Sequence, residues 1–139
     1  MYHTIIIVGH LGMDPQDLRQ VGTTQVTSFN VATNRSFTTG AGVKVEETIW
    51  WKVSVWGNLA TACKQYLHKS SKVLVDGNMV PGKDGNPVVY VKKDGTPAAN
   101  YEIRANVVKF LDSKGDVIAT HTQQDSDDEW AVDDKELDF

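Results

Sequence analysis

Apolar and polar side chains mostly alternate with a period of two along residues 1–111, the pattern of strands with one buried face. Five long stretches carry it. Residues 3–11, HTIIIVGHL, predict a first strand with Gly9 as a bend or bulge. Residues 26–37, VTSFNVATNRSF, predict a second, with Phe29, Val31 and Thr33 turned inward. Residues 46–56, EETIWWKVSVW, predict a third, residues 72–80 a fourth and residues 100–111 a fifth. Shorter strands are expected at 18–21 and within PVVYVKK, residues 87–93. One segment breaks the period. Leu59, Ala62, Cys63, Tyr66 and Leu67 fall at helical spacing and predict a helix of about three turns, with Asn58 as its N-cap. Residues 38–45, TTGAGVKV, read as a flexible loop, and Gly82, Asp84-Gly85 and Asp94-Gly95 mark turns. No internal repeat is evident. Five main strands with one helix between the third and fourth give an all-β class and the order of an OB-fold five-stranded barrel.

The third strand needs a second explanation. Its odd positions, Ile49, Trp51, Val53 and Val55, form a continuous apolar face that a core accounts for. Its even positions, Glu46, Thr48, Trp50, Lys52, Ser54 and Trp56, do not suit a core, because burying a lone Lys or Glu costs several kcal/mol. Trp50 and Trp56 therefore belong on a solvated face, about 20 Å apart at roughly 3.3 Å per residue. Flat exposed aromatics beside a cation suit nucleobases and phosphate. A subunit interface or a covering loop over the same face is the competing explanation.

Charge sharpens this picture. The net charge of −4 averages two unlike parts. Residues 1–111 hold 12 Lys/Arg and 8 Asp/Glu, whereas residues 112–139 hold 2 Lys and 10 Asp/Glu. The domain division is therefore a mildly basic body, 1–111, and an acidic tail, 112–139, too polar to offset its ordering entropy and expected to be disordered. The single cysteine, Cys63, precludes an intramolecular disulfide and is expected to be a small buried hydrophobe. With no signal-like segment in the first residues, a reducing, intracellular location is expected.

Over nearly its whole length the chain resembles the bacterial-type single-stranded DNA-binding proteins. The matching stretches are IIIVGHLGMDP, SFNVATNRSF, TIWWKVSVWGNLATACKQYLHKSSKVLVDGNM, DGTPAANYEIRANVVKFL and the acidic tip DDKELDF, in that order. The resemblance implies base stacking by Phe37, Trp50, Trp56 and, in the hairpin after the fourth strand, Tyr90. It implies a homotetramer that single strands wrap, a cytoplasmic, nucleoid-associated location, and no enzymatic activity, cofactor or required metal. It also implies that the tip, Asp133, Asp134, Glu136, Leu137, Asp138 and Phe139, docks replication, recombination and repair proteins. The Tyr90 match is affected by PGKDGNPVV, which looks like an insertion. Two further features depart from the pattern. The tail of 28 residues, 112–139, is shorter than many in the family and lacks their Gly/Pro/Gln-rich linker, and Asp138 stands where the family's tip usually has Pro.

The remaining chemistry is consistent with passive binding. His3, His10, His68 and His121 have no partners at metal-ligand spacing, and no Walker-type phosphate loop is present. Phosphate neutralisation falls to Arg35, Lys44, Lys52, Lys64, Lys72, Lys83, Lys92 and Lys93, with Arg35 beside Phe37 and Lys52 between the tryptophans the best placed. Lys64 on the helix and Lys44 in the loop equally suit a solvated surface. The rival function is an OB-fold adaptor of replication or repair that mainly binds proteins. An enzyme on nucleic acid would need an acid cluster or metal set in the body, which the sequence lacks.

Overall fold

A computed structural model describes residues 1–112. Its elements are β1 (Ile5–Leu11), β2 (Arg19–Val21), β3 (Thr24–Thr38), β4 (Lys44–Trp56), α1 (Asn58–Tyr66), β5 (Lys72–Met79), β6 (Val89–Val91), β7 (Pro97–Ala99) and β8 (Tyr101–Phe110). Strands β1, β5, β8, β4 and β3 are hydrogen-bonded in that order, and β1 pairs again with β3, so the five close into a barrel. This is the all-β, five-stranded OB-type architecture that the strand order predicts. The short β2 extends β3, and β6 and β7 form a separate hairpin. The acidic tail, expected at 112–139, lies outside the described residues apart from Asp112. No helix among the described residues is long and apolar enough to cross a membrane.

Alternation builds the core. Ile7 and Leu11 of β1, Phe29 and Val31 of β3, Val53 and Val55 of β4, Val73 and Val75 of β5, and Ile103 and Ala105 of β8 are all buried. In β8 the inward set then changes parity, from Ile103 and Ala105 to Val108. The cause is a register shift: Asp76 pairs with Val107 but Gly77 with Ala105, which leaves Asn106 as an extra residue. The Asn106 amide donates to Asn78 Oδ1 (2.9 Å) across the bulge.

Closure of the barrel depends on a close approach at Gly9. A Cβ there would stand 2.2 Å from the Ala32 carbonyl oxygen, inside any permissible contact. Only a residue without a side chain lets β1 cross β3 where His10 meets Ala32 and Leu11 meets Val31.

The helix differs from its expected form. It spans nine residues, and its N-cap is Gly57 rather than Asn58, with no side-chain cap hydrogen bond. Gly57 takes a positive φ of 72°, which turns the chain sharply out of β4, and its carbonyl accepts the Ala60 N–H. Ala60 and Cys63 are buried, as is Leu67 just past the helix end. Burial pushes the Cys63 thiol up to about 12, which keeps it a neutral, unreactive packing group.

One expected inward residue stands elsewhere: Ile49 is 39% exposed, whereas Trp51 is half-buried and packs against the core. Ile49 precedes the β8 pairing, which runs over Trp51–Ser54. At that end β4 pairs with β3 alone among the described residues, and the two strands run on as a two-stranded arm. Trp51 spends its indole N–H on Thr33 Oγ1 (2.8 Å) and packs against Tyr101, ring centroids 5.3 Å apart. The loop expected at 38–45 is shorter, since strand pairing continues to Thr38 and Lys44.

The long excursion after β5 contains two turns of one construction. Asp84 Oδ1 accepts the Asn86 N–H, and Asp94 Oδ1 accepts the Thr96 N–H, both at 3.0 Å. Gly85 and Gly95 follow at φ 82° and 89°. Where no internal repeat is expected, the pentapeptides KDGNP and KDGTP thus form a short one, and hydrogen bonds from the two turns hold both Asp carboxyls below the usual range.

Substituting Gly9→Ala should lower the unfolding free energy by about 1–3 kcal/mol or more, because the intruding methyl meets backbone that cannot rotate away. A thermal melt equal to wild type would show that β1 does not close the barrel at this point.

Candidate nucleic-acid interface

Strand β4 presents Trp50, Lys52, Ser54 and Trp56 on the face opposite Val53 and Val55, which are fully buried. The structure therefore brings Trp50, Lys52 and Trp56 together as the alternation requires. Trp50 is 54% exposed and Trp56 half-buried. The Trp50 ring lies over Gly12, where a Cβ would come within 2.6 Å of its Cζ3. Any side chain at position 12 would move the indole. The Gly12 N–H donates to the Asn30 carbonyl (3.1 Å), so the floor beneath Trp50 is anchored to β3.

The neighbouring strand completes this face. Strand β8 runs parallel to β4, with Lys52 opposite Glu102 and Ser54 opposite Arg104. The Arg104 guanidinium stands 5.0 Å from the Trp56 ring centroid, a cation–π contact. Glu102 Oε1 lies 3.9 Å from Lys52 Nζ. Neither Arg104 nor Glu102 was legible as a site residue, because a parallel pairing between segments 50 residues apart leaves no local pattern.

Other candidates stand apart. Arg35 and Phe37 form their own cation–π pair at 4.8 Å, far out on the β3–β4 arm. The register places Arg35 opposite Glu47 and Phe37 opposite Val45, so they share a face with Ile49 and Trp51, not with Trp50. Tyr90 sits on β6 opposite Ala98, 42% exposed, its hydroxyl donating to Asn100 Oδ1 at 3.4 Å. Lys92 and Lys93 are exposed at the adjoining turn, and Lys83 at the preceding one. Lys72 is on β5 opposite His10, and β8 lies between β5 and β4. Its backbone N–H donates to Asp112 Oδ1 (2.9 Å). Lys64 is committed to structure: Nζ donates to the Pro15 carbonyl (2.9 Å) and pairs with Asp17 (3.2 Å). Lys44 pairs with Glu46 at 3.6 Å, both exposed.

A cleft of about 650 Å³ lies off the tryptophan face. It lies between the first turn after β5 and the start of β8, lined by Met79, Pro81, Pro87 and Tyr101 among others. A flat stacking surface needs no cavity, so the two observations do not conflict. Among the described residues no group of His, Cys, Asp and Glu is arranged to hold a metal ion.

Comparison with known proteins gives a consistent answer. A sequence model of the Single-strand binding protein family matches residues 2–111. The single-stranded DNA-binding protein of Neisseria meningitidis serogroup B is 31% identical over 112 residues, which cover 81% of this chain and 61% of that one. Single-stranded DNA-binding protein 1 of Chlorobaculum tepidum is 35% identical over 75 residues, covering 54% and 46% respectively. The chain thus spans about half to three-fifths of the length of these relatives. Among solved structures, a Plasmodium falciparum SSB complex with ssDNA superposes with a TM-score of 0.65 at 23% identity, covering 81% of this chain and 97% of that one. A small single-stranded DNA-binding protein from Streptomyces coelicolor gives 0.63 at 18%, covering 78% and 93%. At these identities the structural likeness speaks to the fold.

Proposed function

The chain belongs to the single-strand binding protein family, and from this premise we propose that it binds single-stranded DNA with little sequence preference. It acts by binding rather than by catalysis. The observation that carries the proposal is Trp50, Lys52 and Trp56 side by side on the solvent face of β4, with Trp50 supported by Gly12. Bases stack on Trp50, Trp56, Phe37 and Tyr90. Each such stack is worth about 1–3 kcal/mol by substitution and needs only a π-face. Arg35, Lys52, Lys72, Lys92 and Lys93 neutralise phosphates and release counterions. Phe37 lies across the arm from Trp50 and Lys72 lies two strands from β4, so engaging all of them requires a strand that wraps the molecule rather than crossing one face. Duplex bases already stack on each other, which favours single strands as the ligand.

The body, 1–111, is the DNA-binding domain in this reading, and 112–139 an acidic tail whose tip recruits replication, recombination and repair proteins in the cytoplasm, at the nucleoid. Support for the tail comes from its composition. Asp133, Asp134, Glu136 and Asp138 surround an apolar pair, Leu137 and Phe139, which suits an apolar pocket with a basic rim.

We also propose self-assembly, with a tetramer as the expected form. The outward face of β1 exposes Ile6 (58%) and Val8 (47%), and Val107 of β8 is 40% exposed nearby through Asp76. Moreover, β1 pairs with β3 only at His10 and Leu11, which leaves its edge over residues 5–9 without a strand among the described residues. A bare edge beside exposed aliphatics is a template for a second copy.

Titrating the whole chain with oligo-dT should quench its tryptophan fluorescence. Trp50→Ala and Trp56→Ala should each weaken binding about fivefold or more while preserving the thermal melt. If both bind as wild type does, the adaptor function gains and the platform is wrong.

Sedimentation should give a mass above the 15.4 kDa of one chain. A folded double variant Ile6→Lys, Val8→Lys should shift it downward. A monomeric wild type at micromolar concentration would refute assembly.

For the tail, Phe139→Ala should remove partner proteins captured from a bacterial extract yet leave oligo-dT affinity nearly unchanged. Identical capture by both proteins would reduce the tail to a solubilising role.

A further inference from the structure

Both cations on the tryptophan platform are engaged before any strand arrives. Arg104 is stacked over Trp56 at 5.0 Å. Lys52, two residues from Trp50 and four from Trp56 on the same face, has Glu102 at 3.9 Å. The carboxylate is the more covered partner: its side chain is 22% exposed, against 48% for Lys52. Its position is fixed by backbone on both sides. Glu102 is held opposite Lys52 by the β4–β8 pairing, and its own carbonyl accepts the Val80 N–H at 3.0 Å. An acid at the centre of a surface for polyanions is unfavourable for binding, and the stability it returns is small, since a partly exposed ion pair contributes little.

We infer that Glu102 is a built-in competitor for the DNA phosphate at Lys52. In the free protein its carboxylate occupies the place of a phosphate oxygen and holds the ammonium between Trp50 and Trp56. When a strand stacks on the indoles, a backbone phosphate takes over Lys52 and Glu102 is left beside it. The inference rests on the platform reading of β4 and adds to it a residue that limits affinity.

Two physical consequences follow. When a phosphate takes Lys52, the Glu102 charge left beside it offsets part of the neutralisation, so fewer counterions are released at this contact than at an unopposed lysine. The freed carboxylate then repels the phosphate that displaced it. Together these weaken binding, flatten its salt dependence and speed release of the strand.

The test is Glu102→Gln in the whole chain, titrated with oligo-dT by tryptophan fluorescence over a range of salt, together with Lys52→Met and the double variant. Glu102→Gln should bind about two- to fivefold tighter at low salt. Its plot of log affinity against log salt should be steeper by up to about one. In the Lys52→Met background the added Glu102→Gln change should lose that steepening and most of the gain. Thermal melts within a few degrees of wild type would show that each variant is folded. A Glu102→Gln protein that binds no tighter than a binding-competent wild type overturns the inference alone, as does an equal gain in the Lys52→Met background. A wild type that fails to bind oligo-dT overturns the platform reading and this inference with it.

Discussion

The structure depends on one strand finding partners on both of its edges. Strand β1 runs along β5 and then meets β3 at His10 and Leu11, and this second pairing turns an open sheet into a barrel. The crossing needs Gly9, because the Ala32 carbonyl occupies the space a side chain would take. Leu11, immediately after it, is 2% exposed and plugs the core. Gly12, one residue further, is the floor beneath Trp50. Closure of the barrel and placement of the platform's first indole are therefore consecutive events in one short segment. Disturbing the former would carry into the latter within about two residues of chain.

Alternation divides the labour on β4. Its odd residues fill the core while β8 covers it, and its even residues face solvent throughout. Ahead of the β8 pairing the odd residues lie on the arm: Ile49 is exposed, and Trp51, at the junction opposite Tyr101, bonds Thr33 and packs on that ring. The same strand is thus a core element at one end and half of a free arm at the other. The arm carries Arg35 and Phe37 away from the barrel, and its two faces diverge from there.

Period-two alternation is a local property, and for that reason the strands, the helix and the Trp50–Lys52–Trp56 face could be read from the chain directly. What could not be read depends on contacts between distant segments. The partnership of β8 with β4 supplies Glu102 and Arg104, and nothing in YEIRANVV announces it. The bulge at Asn106 shows only as a change of parity in the buried residues. Phe37, by contrast, shares its parity with Phe29, Val31 and Thr33, so alternation along β3 by itself sets it on the face of Ile49 and Trp51 and not on that of Trp50. The helix cap fell to Gly57 because the chain must turn with a positive φ there, a backbone demand that outranks the capping ability of Asn58.

The paired turns at Asp84 and Asp94 are each closed by hydrogen bonds from their own residues to the Asp carboxylate, with a glycine at positive φ. Such a unit can be copied or deleted without altering strand tilt or core volume elsewhere. The excursion after β5 is accordingly the part of this protein whose reach can be lengthened by descent in whole increments, while the barrel, bound by its closure, tolerates no such change in size.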